Sequence, residues 1–146
     1  MNKYMAIALD EAKKAFELGE VPIGAVIVKD NKVVSKAHNK RETLKLATAH
    51  AEILVIEEAC KKLDTWRLDG CTIYITILPC VMCAGAIVNS RISKVIYGAK
   101  EEKFGYVDDI ERILSSSKLN HRAEVVGGVM EDEARDLMKK FFKGLR

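Results

Sequence analysis

Two short strings concentrate the side chains able to bind a metal and move a proton. Cys80 and Cys83 form Cys-x-x-Cys directly after Pro79, and His50 and Glu52 form His-x-Glu upstream of them. A spacing of three on a helix puts both sulfurs on one side of its first turn. The free N–H groups and positive end of that helix favour thiolate over thiol, and thiolate is the form that zinc binds. Taken alone, Cys-x-x-Cys leaves a redox dithiol and half of a zinc ribbon both open. The remaining cysteines, Cys60 and Cys71, read as small buried hydrophobes, and the uneven spacing of all four does not make a disulfide framework.

His50 narrows the choice. In a right-handed βαβ-type arrangement, two helices flanking neighbouring strands bring their N-termini together, which would set His50 beside Cys80 and Cys83. Three protein ligands leave one tetrahedral position for water, as in a catalytic zinc site rather than a structural one. Zn²⁺ with two thiolates and a neutral imidazole is formally neutral and still polarises water. Glu52 need not bind the metal; it is expected beside the water, taking its proton and handing it to a substrate nitrogen. The alternatives are a helix-surface carboxylate for Glu52 and a non-catalytic, zinc-stabilised binding domain for the whole chain. A structural zinc site needs no proton shuttle, which argues against the second.

Positioning these residues requires alternating helices and strands. Residues 3–18 carry apolar side chains at helical intervals before Gly19, and Ile23–Val28 and Lys32–Lys36 flank an Asp30-Asn31 turn as a hairpin. Thr48 reads as the N-cap of a helix running to about Leu63, Thr72–Ile77 as a strand, and Ala84–Val88 as a helix beyond Cys83. Val95–Tyr97 is expected to be a central strand, Asp109–Ser117 a short helix and Ala123–Val126 an edge strand. Glu131–Lys143 reads as a last amphipathic helix with Leu137, Met138, Phe141 and Phe142 on its apolar face. The pattern predicts an α/β domain spanning 1–146, its sheet covered by helices on both faces, with no internal repeat or linker.

Composition bounds the rest. The 146 residues are 49% hydrophobic and 31% charged with only two Pro, which excludes a disordered or collagen-like chain. No apolar run reaches the ~18 residues of a membrane span, and Met1-Asn2-Lys3-Tyr4 lacks the regions of a secretory signal, so a soluble cytoplasmic protein is expected. The net charge of +3 permits an anionic partner without demanding one. Two local runs are more basic: Lys36, Lys40, Arg41 and Lys45 against Glu42, and Lys139, Lys140, Lys143 and Arg146 with no acid.

His-x-Glu with Pro-Cys-x-x-Cys is the signature of the zinc-dependent nucleobase deaminases. The longer strings Thr48-Ala49-His50-Ala51-Glu52-Ile53 and Pro79-Cys80-Val81-Met82-Cys83-Ala84-Gly85-Ala86 resemble the bacterial tRNA-specific adenosine deaminases. So do Asn39, Ser90-Arg91-Ile92, Asn120-His121-Arg122 and Phe141-Phe142 with its basic flank, so the similarity covers nearly the whole chain. The resemblance implies a cytidine deaminase-like three-layer α/β/α sandwich around a mixed five-stranded sheet, and a homodimer. It also implies hydrolytic deamination of adenosine to inosine at the wobble position of tRNA, bound through its anticodon stem-loop. His50, Cys80 and Cys83 match the ligands of one Zn²⁺ per chain and Glu52 the proton shuttle. The match of Asn39 implies contact with the target nucleoside, and the backbone N–H of Ala51 is placed to fix an atom of the base.

Three departures from that pattern bear on the substrate. Leu78 stands where Glu commonly precedes Pro-Cys, Leu46-Ala47 replaces an Asp-Pro pair, and Phe104–Asp108 lies where a Gly- and Ala-rich loop is usual. They keep open a second enzymatic reading, deamination of guanine or another free purine base or nucleotide.

Overall fold

The computed structural model describes residues 1–100 and 107–145. Its strands are β1 (Gly24–Lys29), β2 (Lys32–His38), β3 (Thr72–Ile77), β4 (Lys94–Ala99) and β5 (Glu124–Val126). The helices are α1 (Asn2–Glu17), α2 (Arg41–Leu44), α3 (Ala51–Leu63), α4 (Val81–Asn89), α5 (Val107–Ser115) and α6 (Glu131–Gly144). One mixed five-stranded sheet has the order β2-β1-β3-β4-β5. Among the described residues no helix is long and apolar enough to cross a membrane.

Period-two alternation divides the apolar side chains between two cores. Ala25 and Ile27 of β1, Ile73 and Ile75 of β3, and Val95 and Tyr97 of β4 face Val55 and Ala59 of α3, Ala84 and Ile87 of α4, and Ile110 and Leu114 of α5. On the other face Val26, Val28, Tyr74 and Ile96 meet Met5, Ala8 and Leu9 of α1 and Ala134 and Met138 of α6. The expected three-layer sandwich is therefore present. The β1–β2 turn is also as expected: Asp30 and Asn31 hold positive φ of 51° and 61°, the two-residue geometry that matches strand twist in a hairpin.

Strand direction decides where the helices begin. β1 pairs antiparallel with both β2 and β3, so β2 and β3 run the same way. β4 and β5 continue parallel to β3. The carboxyl ends of β2 and β3 thus share one edge of the sheet, and the chain leaves that edge from each strand to start α3 and α4 on the same face. Gly24, paired with His38, lies at this edge too. So does the carboxyl end of α1, where Phe16 meets Phe141 of α6 at 6.2 Å between ring centroids. The basic end of α6 consequently projects at the same edge as the starts of α3 and α4.

Two expectations need correction, and one element was not expected. Thr48 is not the N-cap of α3: the His50 N–H donates to Thr48 O at 2.8 Å and the Ala49 N–H to Leu46 O at 3.1 Å, a turn that delays the helix until Ala51. The single turn α2 was not foreseen, because four exposed residues carry no periodic signal. On α6 the buried stripe is Ala134 and Met138, which face the sheet; Leu137 and Phe141 are half-buried and Phe142 is exposed, its ring 5.3 Å from that of Phe141.

The approach of α1 to β1 is close at one point. A Cβ on Gly24 would run into the backbone of Ala8 and Ala12 and the side chain of Glu11. Because helix backbone cannot swing aside as a side-chain tip can, Gly24→Ala should lower stability by about 3 kcal/mol, read from the midpoint of a urea unfolding curve.

Candidate active site

His50 and Cys80 are themselves the N-cap residues of α3 and α4, both in extended backbone conformation (φ −79°, ψ 152° and φ −74°, ψ 176°). That conformation turns each side chain off its own helix and toward the other. Neither helix start carries an ordinary side-chain cap, and the N–H groups and positive dipole ends of two helices converge here. The Sγ atoms of Cys80 and Cys83 each lie 3.6 Å from His50 Nδ1, and the three donor atoms are all within 4.8 Å of one another. Bond lengths of roughly 2.3 Å to sulfur and 2.0 Å to nitrogen in a tetrahedron imply S···N separations of about 3.5 Å, so the donor set fits zinc in both spacing and chemistry. Among the described residues no other cluster of His, Cys, Asp and Glu could hold a metal ion.

Cys83 and Glu52 form a buried floor, with His50 and Cys80 half-buried at the rim and Val81 exposed beside them. The Cys83 thiol and the backbone N–H groups of Cys83 and Met82 donate toward Cys80 sulfur, and His50 adds charge; together they overcome burial and draw the Cys80 thiol down to about 5. The same bond, with burial and the Glu52 charge, pushes the Cys83 thiol far up. A dication held among the three donors would take the place of thiol protons.

Glu52 is 3% exposed. Burial raises its carboxyl to about 7, with the negative Cys80 adding to the rise, while its own backbone N–H, the His50 charge and the Cys83 thiol pull the other way. Its Oε1 is buried without a hydrogen-bond partner. An acceptor left open beside the donor cluster, on a group titrating near neutrality, suits a residue that takes up and returns a proton.

Asn39 follows β2 at the same edge but is 6% exposed and already engaged. Its Oδ1 accepts from the Arg41 N–H at 3.1 Å, and its Nδ2 makes only a long 3.5 Å contact to Val21 O, so its donor is the freer half. Ala51 is buried in the first turn of α3, where N–H groups have no intrahelical acceptor. Leu78 belongs to the core beneath α3 and α4, its N–H on Ala99 O at 2.9 Å, so its side chain serves packing. Leu46 is exposed. Phe104, Gly105 and Tyr106 lie outside the described residues, as does Arg146.

Other conspicuous side chains lie apart from the cluster. Trp66 is 58% exposed, with the guanidinium groups of Arg67 and Arg91 over its ring at 5.4 and 5.7 Å. His121 Nε2 pairs with Ile92 O at 2.6 Å, and His38 Nδ1 with Glu11 Oε1 at 3.0 Å. Cys71 is buried and Cys60 half-buried. Sequence reasoning missed Glu20, which is almost fully buried at this edge. An acid between Gly19 and Val21-Pro22 has no periodicity to mark it, and its partners come more than twenty residues later.

A profile of the MafB19-like deaminases matches residues 1–146. The tRNA-specific adenosine deaminase of Bacillus subtilis (strain 168) is 52% identical over 143 residues, 98% of this chain and 89% of that protein. A solved structure from work on A-to-I editing by tRNA:A34 deaminases at the wobble position of transfer RNA superposes with a TM-score of 0.87 at 42% identity. It covers 94% of this chain and 99% of that one. The guanine deaminase of Bacillus subtilis matches less of it: TM-score 0.66, 36% identity, 70% of this chain and 66% of that one. A donor cluster spaced for zinc, a buried acid beside it and near-full-length similarity all lead to one place: this chain belongs to the deaminase family that includes the tRNA-specific adenosine deaminases.

Proposed function

We propose that this chain is a single deaminase domain that hydrolyses adenosine to inosine at the wobble position of tRNA. We further propose that it works as a cytoplasmic homodimer with one zinc ion per chain. The observation that carries the reading is the buried Glu52 carboxyl, its Oε1 unpartnered, beside His50, Cys80 and Cys83. In the reaction water adds to C6 of the purine, the exocyclic amine departs as ammonia, and C6 becomes a carbonyl. His50, Cys80 and Cys83 would hold the zinc, whose Lewis acidity makes water a usable nucleophile at neutral pH. Glu52 takes a proton from the attacking water and delivers it to a nitrogen of the base, a task suited to a carboxyl raised to about 7. The backbone N–H of Ala51 and the Asn39 amide fix the base and its sugar. Similarity supports tRNA over a free purine, because the match to the guanine deaminase of Bacillus subtilis, at 36% identity, is lower than the 52% to the tRNA-specific adenosine deaminase of the same organism.

Protein purified without chelator should contain about one zinc per chain, and Cys83→Ala should lose most of it, since two ligands rarely retain the metal. Elemental analysis decides this; less than half an equivalent in the unaltered protein would count against the site.

Glu52→Gln should keep its zinc and its fold while turnover falls by about 10²-fold or more, with little change in substrate affinity. Near-normal turnover would remove Glu52 from the chemistry.

Substrate class is tested by ammonia release from free bases, nucleosides, nucleotides and an anticodon stem-loop. Lys139, Lys140 and Lys143 are exposed at the site's edge of the sheet. Replacing Lys140 and Lys143 with Ala should weaken stem-loop binding and flatten its salt dependence, by about 0.7 to 0.9 in log–log slope per lost phosphate contact. Efficient turnover of guanine or a mononucleotide with none of any stem-loop would favour the free-purine reading instead.

A further inference from the structure

Glu20 lies in the connection between α1 and β1 and is 1% exposed, yet both of its oxygens face a segment far along the chain. Oε1 accepts from the Glu42 N–H at 3.1 Å; Oε2 accepts from the Thr43 N–H at 2.6 Å and from the Thr43 hydroxyl at 2.7 Å. Burial by itself would raise its pKa, but these bonds and the Arg41 charge more than offset it, and Glu20 stays ionised below the usual carboxylate range. The carboxylate therefore caps α2 from a distance, taking the place of a local side chain at a helix start that has no cap of its own.

What it holds adds nothing to either core. α2 has no buried residue, and Arg41 to Thr48 are exposed throughout. The neck of this excursion is tied beside the site. The Asn39 N–H donates to Ile23 O at 3.1 Å and the Lys40 N–H to Ala49 O at 3.0 Å, next to His50. Asn39 Oδ1 in turn accepts from the Arg41 N–H. The arm carries Lys40, Arg41 and Lys45 against Glu42 alone, a charge suited to a phosphodiester strand. A buried carboxylate fixed to a basic, exposed arm governs where that arm stands, since the arm has no packing of its own to locate it.

We propose that Glu20 is a positioning residue that anchors the Asn39–Lys45 arm against the RNA strand entering the site. The proposal rests on the tRNA reading above. It is tested on zinc-loaded protein by kcat and KM for an anticodon stem-loop, amide hydrogen exchange at Glu42 and Thr43, and zinc content.

Glu20→Ala should raise KM roughly tenfold, leave kcat within about twofold, and speed exchange of both amides by roughly tenfold or more, with zinc unchanged. Glu20→Gln should fall between, because its carbonyl can still accept from Thr43 while its amide meets the Glu42 N–H. Thr43→Val, a change on the surface that leaves the fold intact, should raise KM a few-fold and have no further effect when added to Glu20→Ala. If Glu20→Ala does not fold, the Gln and Thr43 variants carry the test. Unchanged KM and exchange in these variants, with the unaltered protein active on the stem-loop, would overturn the positioning role alone. So would kcat and zinc content falling together at constant KM, the mark of general loss of structure. An unaltered protein that turns over no stem-loop would overturn the tRNA reading, and the proposal with it.

Discussion

Two helices that begin within hydrogen-bonding reach of each other, neither with an ordinary side-chain cap, are the constraint on which the site depends. Helix starts repel one another electrostatically, since each presents unsatisfied N–H groups and the positive end of a dipole. The fold brings α3 and α4 together nevertheless, because β2 and β3 run in the same direction on either side of β1 and release their helices from one edge onto one face. The repulsion is relieved by what sits between the helices: a sulfur that prefers to be a thiolate and an acid two residues into α3. The negative chemistry of Cys80 and Glu52 and the positive ends of the helices hold each other in place.

Burial then sets the competition among the acidic groups. Cys80 is at the rim and has donors, so it ionises readily; Cys83 and Glu52 are on the floor, where charge is poorly solvated, and both hold their protons longer. One side chain, Glu52, is left titrating near neutrality with an open acceptor. Its environment is low in dielectric yet next to three donors that fit a cation, and a proton carrier needs both properties.

The same edge of the sheet gathers the features that would meet a large substrate. Asn39 and the α2 arm follow β2, and the carboxyl end of α6 reaches this edge by lying beside α1 with Phe141 against Phe16. The α2 arm is peripheral to the two cores and contributes nothing to them, so its placement relies on particular bonds such as those from Glu20, whereas α6 is placed by packing. Leu78 is the opposite case: next to the cysteines in sequence, it belongs wholly to the core.

Ligand chemistry was legible in the chain because Cys-x-x-Cys after Pro79 and His-x-Glu are local patterns, and the alternation of apolar runs implied a sheet with helices on both faces. Local periodicity also located nearly all the elements, which is why the strands and long helices needed little revision. Its reach ended at α2 and at the start of α3, where Thr48 looked like a cap and a turn through Leu46 to His50 displaced the helix to Ala51. That displacement made His50 itself the residue outside the first turn and aimed it at the cysteines. Only the tertiary structure decided which nitrogen of His50 faces the sulfurs, that Glu52 has an unpartnered oxygen, and that Glu20 is bound to Thr43. Each is a relation between residues far apart along the chain. Side-chain direction and burial at such contacts are set by the packing of elements against each other, which residue order does not encode locally.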